Sequence, residues 1–164
     1  MKLRLMNDPV LRRATVPVAP EELEHVKSLL PEMTEIMNKE NGIGLAANQV
    51  GISQRFFIIK IEEQTKLVIN PEIIEIGPLS DFDEGCLSIP GTSAITQRAQ
   101  YVKLRYKDEN FNDIETEYNG LSAVAIQHEV DHLNGKLYID VLPPMRRALT
   151  VNKYKKYIKM RGRQ

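Results

Sequence analysis

Gln127-His128-Glu129-Val130-Asp131-His132-Leu133-Asn134-Gly135 holds two of the chain's three histidines, four residues apart, with a glutamate between them. Successive residues of an α-helix turn by about 100°, which returns the two imidazoles to within roughly 40° of one face, where they can share a metal ion. Glu129 projects beside that face, so its carboxylate can reach a water on the metal without becoming a ligand. Gly120 and Ser122 are start signals, Gly135 is a stop signal, and no proline intervenes, which predicts a helix near 121–134. Leu121, Val124, Ala125 and His128 fall on one stripe of it. The metal face therefore continues into an apolar face that is partly core and partly a place for substrate to lie.

A catalytic metal usually takes three protein ligands and keeps a position open. In one protease pattern the third ligand is a histidine six residues after the second, but here that position is Tyr138. In another it is a downstream glutamate, but the last acidic residue is Asp140, only a few residues beyond the helix. The remaining strong ligand is the lone cysteine, Cys86, in Asp83-Glu84-Gly85-Cys86-Leu87-Ser88-Ile89-Pro90-Gly91. A thiolate with two imidazoles suits Fe(II), Zn(II), Ni(II) or Co(II). A Cys–His nucleophilic pair is the other reading of Cys86; the His-x-x-x-His spacing favours the metal.

Working outward, Leu23, Val26, Leu30, Met33, Ile36 and Met37 recur at helical spacing up to Asn41-Gly42. Pro31 lies inside this pattern and predicts a break or kink near Leu30-Pro31. Gly42-x-Gly44-x-x-Ala47 has the glycine spacing of a dinucleotide loop, but such a loop needs a strand before it, and here a helix precedes. Arg55 to Ile61, Leu67 to Asn70, Glu72 to Ile76, Tyr101 to Tyr106 and Ile114 to Tyr118 read as strands, with turns at Asn70-Pro71 and Gly77-Pro78. The expected fold class is α+β, with antiparallel sheets packed around a central helix carrying His-Glu-x-x-His.

Three segments, Gly42-Ile43-Gly44-Leu45-Ala46-Ala47-Asn48-Gln49, Glu84-Gly85-Cys86-Leu87-Ser88 and Gln127 to His132, together resemble the three motifs of peptide deformylases, in the family's order. The resemblance runs from Asn7-Asp8-Pro9-Val10-Leu11-Arg12 to the end of the metal helix. It implies hydrolysis of the N-formyl group of a nascent polypeptide's formylmethionine, releasing formate. It implies Cys86, His128 and His132 as ligands of one divalent metal, Fe(II) in the cell with Zn(II), Ni(II) or Co(II) accepted. Glu129 is then the general base toward the attacking water and later passes a proton to the departing amine. The Gln49 amide and the Leu87 N–H would stabilise the oxyanion. Ile43, Val124 and Ala125 would line the methionine pocket, and Gly44 and Gly85 would meet the peptide backbone. Both histidines are expected to be neutral, each turning its second nitrogen to a neighbouring acceptor. Asp131 is expected as a solvated helix charge.

The 164 residues suffice for one compact domain, 1–164. Charge is balanced overall with 22 basic and 22 acidic residues, yet residues 145–164 carry eight Lys/Arg and no acid. This basic helical tail is expected either to meet ribosomal RNA or protein, or to be a solvated helix end with Leu149, Val151, Tyr154 and Ile158 packed on the body. His25 is expected at the surface. No long apolar run or signal pattern is present, and one cysteine cannot make an internal disulfide, so a cytoplasmic monomer without membrane contact is expected. Two rivals to the deformylase reading are a metallopeptidase with the same ligands and a ribosome- or RNA-binding module with a structural metal. A structural site normally has four protein ligands, and only three can be named.

Overall fold

The computed structural model describes residues 1–162. Helix α1 (Leu23–Lys39) is followed by strands β1 (Gly44–Ala46), β2 (Phe56–Ile61), β3 (Gln64–Ile76), β4 (Leu79–Glu84), β5 (Ala94–Ala99), β6 (Tyr101–Lys107) and β7 (Asp113–Asn119), then α2 (Gly120–Leu133) and α3 (Pro144–Arg161). Five strands form an antiparallel sheet in the order β1-β2-β3-β6-β7, while β4 and β5 form a separate hairpin.

Strand β2 shows why the sheet sits between two helices. Its run Phe56-Phe57-Ile58-Ile59 is buried on both faces. Alternate side chains of a strand point to opposite sides, so Phe57 and Ile59 join Ala123, Ile126, Val130 and Leu133 of α2 in one apolar cluster. Phe56 and Ile58 join Val26, Met33 and Met37 of α1 in another. A third cluster gathers Leu11, Ile89, Leu137, Tyr138 and Tyr154 beneath α3. Helix α2 touches strands of both sheets, which is the central placement the sequence predicts. Gly135 ends that region in the left-handed conformation, φ 74°, with its N–H on the His132 carbonyl.

Several expectations are corrected. Of the break or kink expected near Leu30-Pro31, the break is absent, because Pro31 lies within one uninterrupted helix. It faces solvent, so the carbonyl that loses its N–H partner can turn to water. Leu67–Asn70 and Glu72–Ile76 are one strand with two register shifts, the first between Ile69 and Glu72, not two strands split by a turn. Asn70 absorbs the irregularity at φ 51°: its side-chain amide pairs with both the N–H and the C=O of Val18, while its own N–H stays on the Arg55 carbonyl. The short β1 and the β4–β5 hairpin were not anticipated. On α3, Tyr154 is buried and Val151 and Ile158 pack on the body, but Leu149 is exposed, and Thr150 takes the inward place. His25 is exposed as expected. Residues 163 and 164 of the basic tail lie outside the described residues. No helix among the described residues is long and apolar enough to cross a membrane.

Ile126 is fully buried between α2 and the sheet, whereas Leu121, five residues earlier, is 65% exposed. Ile126→Ala should therefore lower unfolding free energy by about 2–5 kcal/mol in urea titrations, while Leu121→Ala should change it by no more than about 0.5 kcal/mol.

Candidate active site and metal centre

Helical spacing brings the two histidine rings together, and a loop from the hairpin brings the sulfur to them. The His128 and His132 Nε2 atoms are 3.0 Å apart, and Cys86 Sγ lies 3.2 Å from His132 Nε2. All three donor atoms fall within 4.8 Å of one another. Ligand–ligand edges around a tetrahedral ion with ordinary M–N and M–S bonds are roughly 3.3–3.6 Å, so the donor set has about the span of a coordination sphere.

The electrostatics fit a cation. Burial disfavours protonation of His128, but Cys86 and the carboxylates of Glu84 and Glu129 outweigh it and raise its pKa well above the ordinary value. Burial, then the charge on His128, pushes His132 well below its ordinary value. The anionic groups around His128 thus favour a positive charge at this place.

Glu84 defines which nitrogen of His128 faces the sulfur. His128 Nδ1 lies 2.6 Å from Glu84 Oε1. An ionised carboxylate only accepts, so the ring donates there and Nε2 keeps its lone pair for the site. Arg98 clasps the same carboxylate through Nε at 2.8 Å and Nη2 at 2.7 Å, and Thr96 donates to it at 2.5 Å. Four donors saturate its lone pairs. Burial alone would raise the Glu84 pKa, but His128 and Arg98 hold it well below the usual carboxylate range. Arg98 also donates to Asp131 at 2.7 Å, so Asp131 is an ion-pair partner and not the freely solvated charge expected. The expectation of an acceptor for each histidine holds for His128 alone; His132 Nδ1 is buried without a hydrogen-bond partner.

A cleft of about 350 Å³ opens onto this centre, and its walls include Ile43, Gly44, Gln49, Gly85, Leu87 and Glu129. Val124, Ala125, the buried His128 and the exposed Leu121 line it as well, so the apolar stripe continues from the metal face. Cys86 also lines the cleft, whereas His132 sits 1% exposed behind it. Ile43, Gly44, Gln49, Gly85, Cys86, Leu87, Val124, Ala125, His128 and Glu129 thus line one cleft, with His132 beside it.

Gln49 follows β1 in the short 3-10 turn Ala47–Val50, which Gly51 ends at φ 87°. Its Oε1 accepts from the Ala46 N–H at 2.9 Å, and its Nε2 donates to Ser88 Oγ at 3.1 Å, with Cys86 Sγ 3.7 Å away. Those bonds fix which end of the amide faces the sulfur. Burial raises Glu129 to about 7, and its Oε2 is buried without a partner. Gly44 packs against Glu129: a Cβ there would stand 2.6 Å from Glu129 Oε1. Glu84 and Ser88 were visible inside their motif, though without a role, but Arg98 and Thr96 were missed.

A family profile for polypeptide deformylases matches residues 1–148. The chain belongs to that family. It is 42% identical over 149 residues to the peptide deformylase of Thermotoga maritima, covering 90% of each chain. It superposes on the Legionella pneumophila peptide deformylase crystal structure with a TM-score of 0.94 at 34% identity, covering 99% of this chain and 98% of that one. The Acinetobacter baumannii enzyme, crystallised with Met-Ala-Ser bound, gives 0.83 at 32% identity, covering 87% and 98%. Deformylases are metal-dependent hydrolases that remove the N-formyl group of nascent polypeptides, and that is this chain's activity. The metallopeptidase and RNA-binding readings are not favoured.

Glu84→Gln removes an anionic acceptor from His128 and leaves Arg98 with a weaker buried partner. A chelator-competition titration should show metal affinity falling by about 10–100-fold.

Proposed function

We propose that Cys86, His128 and His132 hold one divalent metal ion, and that the cleft beside it takes the formylmethionine end of a nascent polypeptide. The observation that carries this reading is the convergence of one sulfur and two ring nitrogens next to a buried carboxylate with a free oxygen. A bound divalent ion polarises a carbonyl and makes water acidic enough to attack near neutral pH. The soft sulfur with two imidazoles fits Fe(II) as the cellular ion, with Zn(II), Ni(II) or Co(II) as substitutes.

Glu129 takes a proton from the attacking water at Oε2, the oxygen with no partner, and returns it to the amine nitrogen as the C–N bond breaks. Its elevated pKa suits both roles near neutral pH. The Gln49 Nε2–H and the Leu87 backbone N–H point charge at the oxygen that becomes negative. Gln49 needs little reorganisation for this, because Ala46 and Ser88 already fix its amide. Val124, Ala125 and Ile43 form the methionine pocket, with Leu121 at its mouth. Gly85 exposes backbone on the cleft wall, and Gly44 does so opposite Glu129. The Met-Ala-Ser peptide in the Acinetobacter baumannii structure is what a deformylated N-terminus would look like.

The chain is proposed to act as one catalytic domain, as a cytoplasmic monomer. The basic helix α3 supports ribosome contact: Arg146, Arg147, Lys153, Lys155, Lys156, Lys159 and Arg161 are exposed, and phosphate-rich RNA attracts such a face.

On formyl-Met-Ala-Ser, the enzyme purified without oxygen should release formate and free amine in equal amounts, with one Fe per chain. Peptide-bond cleavage without formate would overturn the reading. Glu129→Gln should lower kcat by about 10²–10⁴-fold with metal content unchanged; full turnover in the metal-loaded variant would remove Glu129 from the mechanism.

A further inference from the structure

We propose that Tyr138 and Thr92 form a clamp that positions the Cys86 loop against the metal helix. Tyr138 opens the short 3-10 turn Tyr138–Val141 beyond α2 and is 1% exposed. Its ring stacks beside His128, with centroids 6.4 Å apart and planes inclined by 27°. Its hydroxyl lies 2.7 Å from Thr92 Oγ1. Thr92 spends its single hydroxyl proton on the Ile89 carbonyl, also at 2.7 Å, so Tyr138 must be the donor in the pair. Ile89 in turn donates its N–H to the Cys86 carbonyl at 3.0 Å. Three consecutive hydrogen bonds therefore lead from a ring packed on one ligand to the backbone of another.

The loop needs such a tether. Cys86 leaves the hairpin after the exposed Gly85, and the chain turns back at Pro90-Gly91, with Gly91 at φ 73°. The sulfur thus stands on a segment outside both sheets, while its partners stand on a rigid helix. The loop doubles back closely enough that a Cβ on Gly85 would stand 3.3 Å from the Thr92 carbonyl oxygen. Tyr138 and Thr92 are positioning residues: they touch neither substrate nor reacting atoms, and they act by holding the sulfur at its distance from the rings.

The clamp rests on the assignment of Cys86, His128 and His132 as ligands, and the test separates the two. Co(II)-loaded wild-type enzyme should show a thiolate-to-cobalt band that Cys86→Ser lacks; a wild-type enzyme without that band overturns the assignment and the clamp with it. Tyr138→Phe and Thr92→Val should each shift that band and speed Co(II) loss to a chelator roughly tenfold, the low end for groups supporting a ligand. Tyr138→Phe keeps the packed ring, so thermal unfolding should report a folded protein. The double variant should lose cobalt no faster than either single one, because both break one connection. Wild-type dissociation in Tyr138→Phe while Cys86→Ser loses its band overturns the clamp alone, as do additive effects in the double variant.

Discussion

The carboxylate of Glu84 is buried where the β4–β5 hairpin meets α2, and it joins the two through His128 on one side and Arg98 on the other. Breaking such a pair by removing one partner strands the other as a buried charge, a loss far larger than that of a surface pair. Arg98 reaches on to Asp131 of α2, so the hairpin is tied to the helix at two points one helical turn apart. The loop bearing Cys86 leaves directly from the end of β4. The ion pair that orients one ring therefore also delivers the sulfur to its place.

Close approach is the second constraint. β1 runs beside α2 with all three residues buried, and Gly44 lets the Glu129 side chain lie against its backbone. Gly42 does the same for Leu87, since a Cβ there would stand 2.7 Å from Leu87 Cδ1. The glycines of this motif serve the packing of two reactive elements as well as any peptide that binds there.

The parts legible in the sequence were those whose pattern is periodic. His128 and His132 at helical spacing, bounded by Gly120 and Gly135, specified α2, and the continuous apolar run at 56–59 specified β2. The β4–β5 hairpin was hidden because its alternation is inverted. Thr96 and Arg98 face inward while Leu79 and Ile95 face solvent, the reverse of an ordinary half-buried strand. Polar residues turn inward here because a buried carboxylate needs donors, and no local pattern announces that. Pro31 misled for a related reason: its cost depends on whether the freed carbonyl meets water, which only the packing of α1 decides. Cys86 was found by its chemistry, as the lone thiol of the chain, and its distance from the rings is a tertiary fact.

Leu121, at the mouth of the cleft, leaves most of its side chain wet while Val124 and Ala125 behind it stay nearly dry. An apolar side chain entering the cleft would release the water ordered over that leucine and cover surface on both partners. The calorimetric signature of such an event is a negative change in heat capacity. Recognition by this wall would then discriminate mainly by bulk and oiliness.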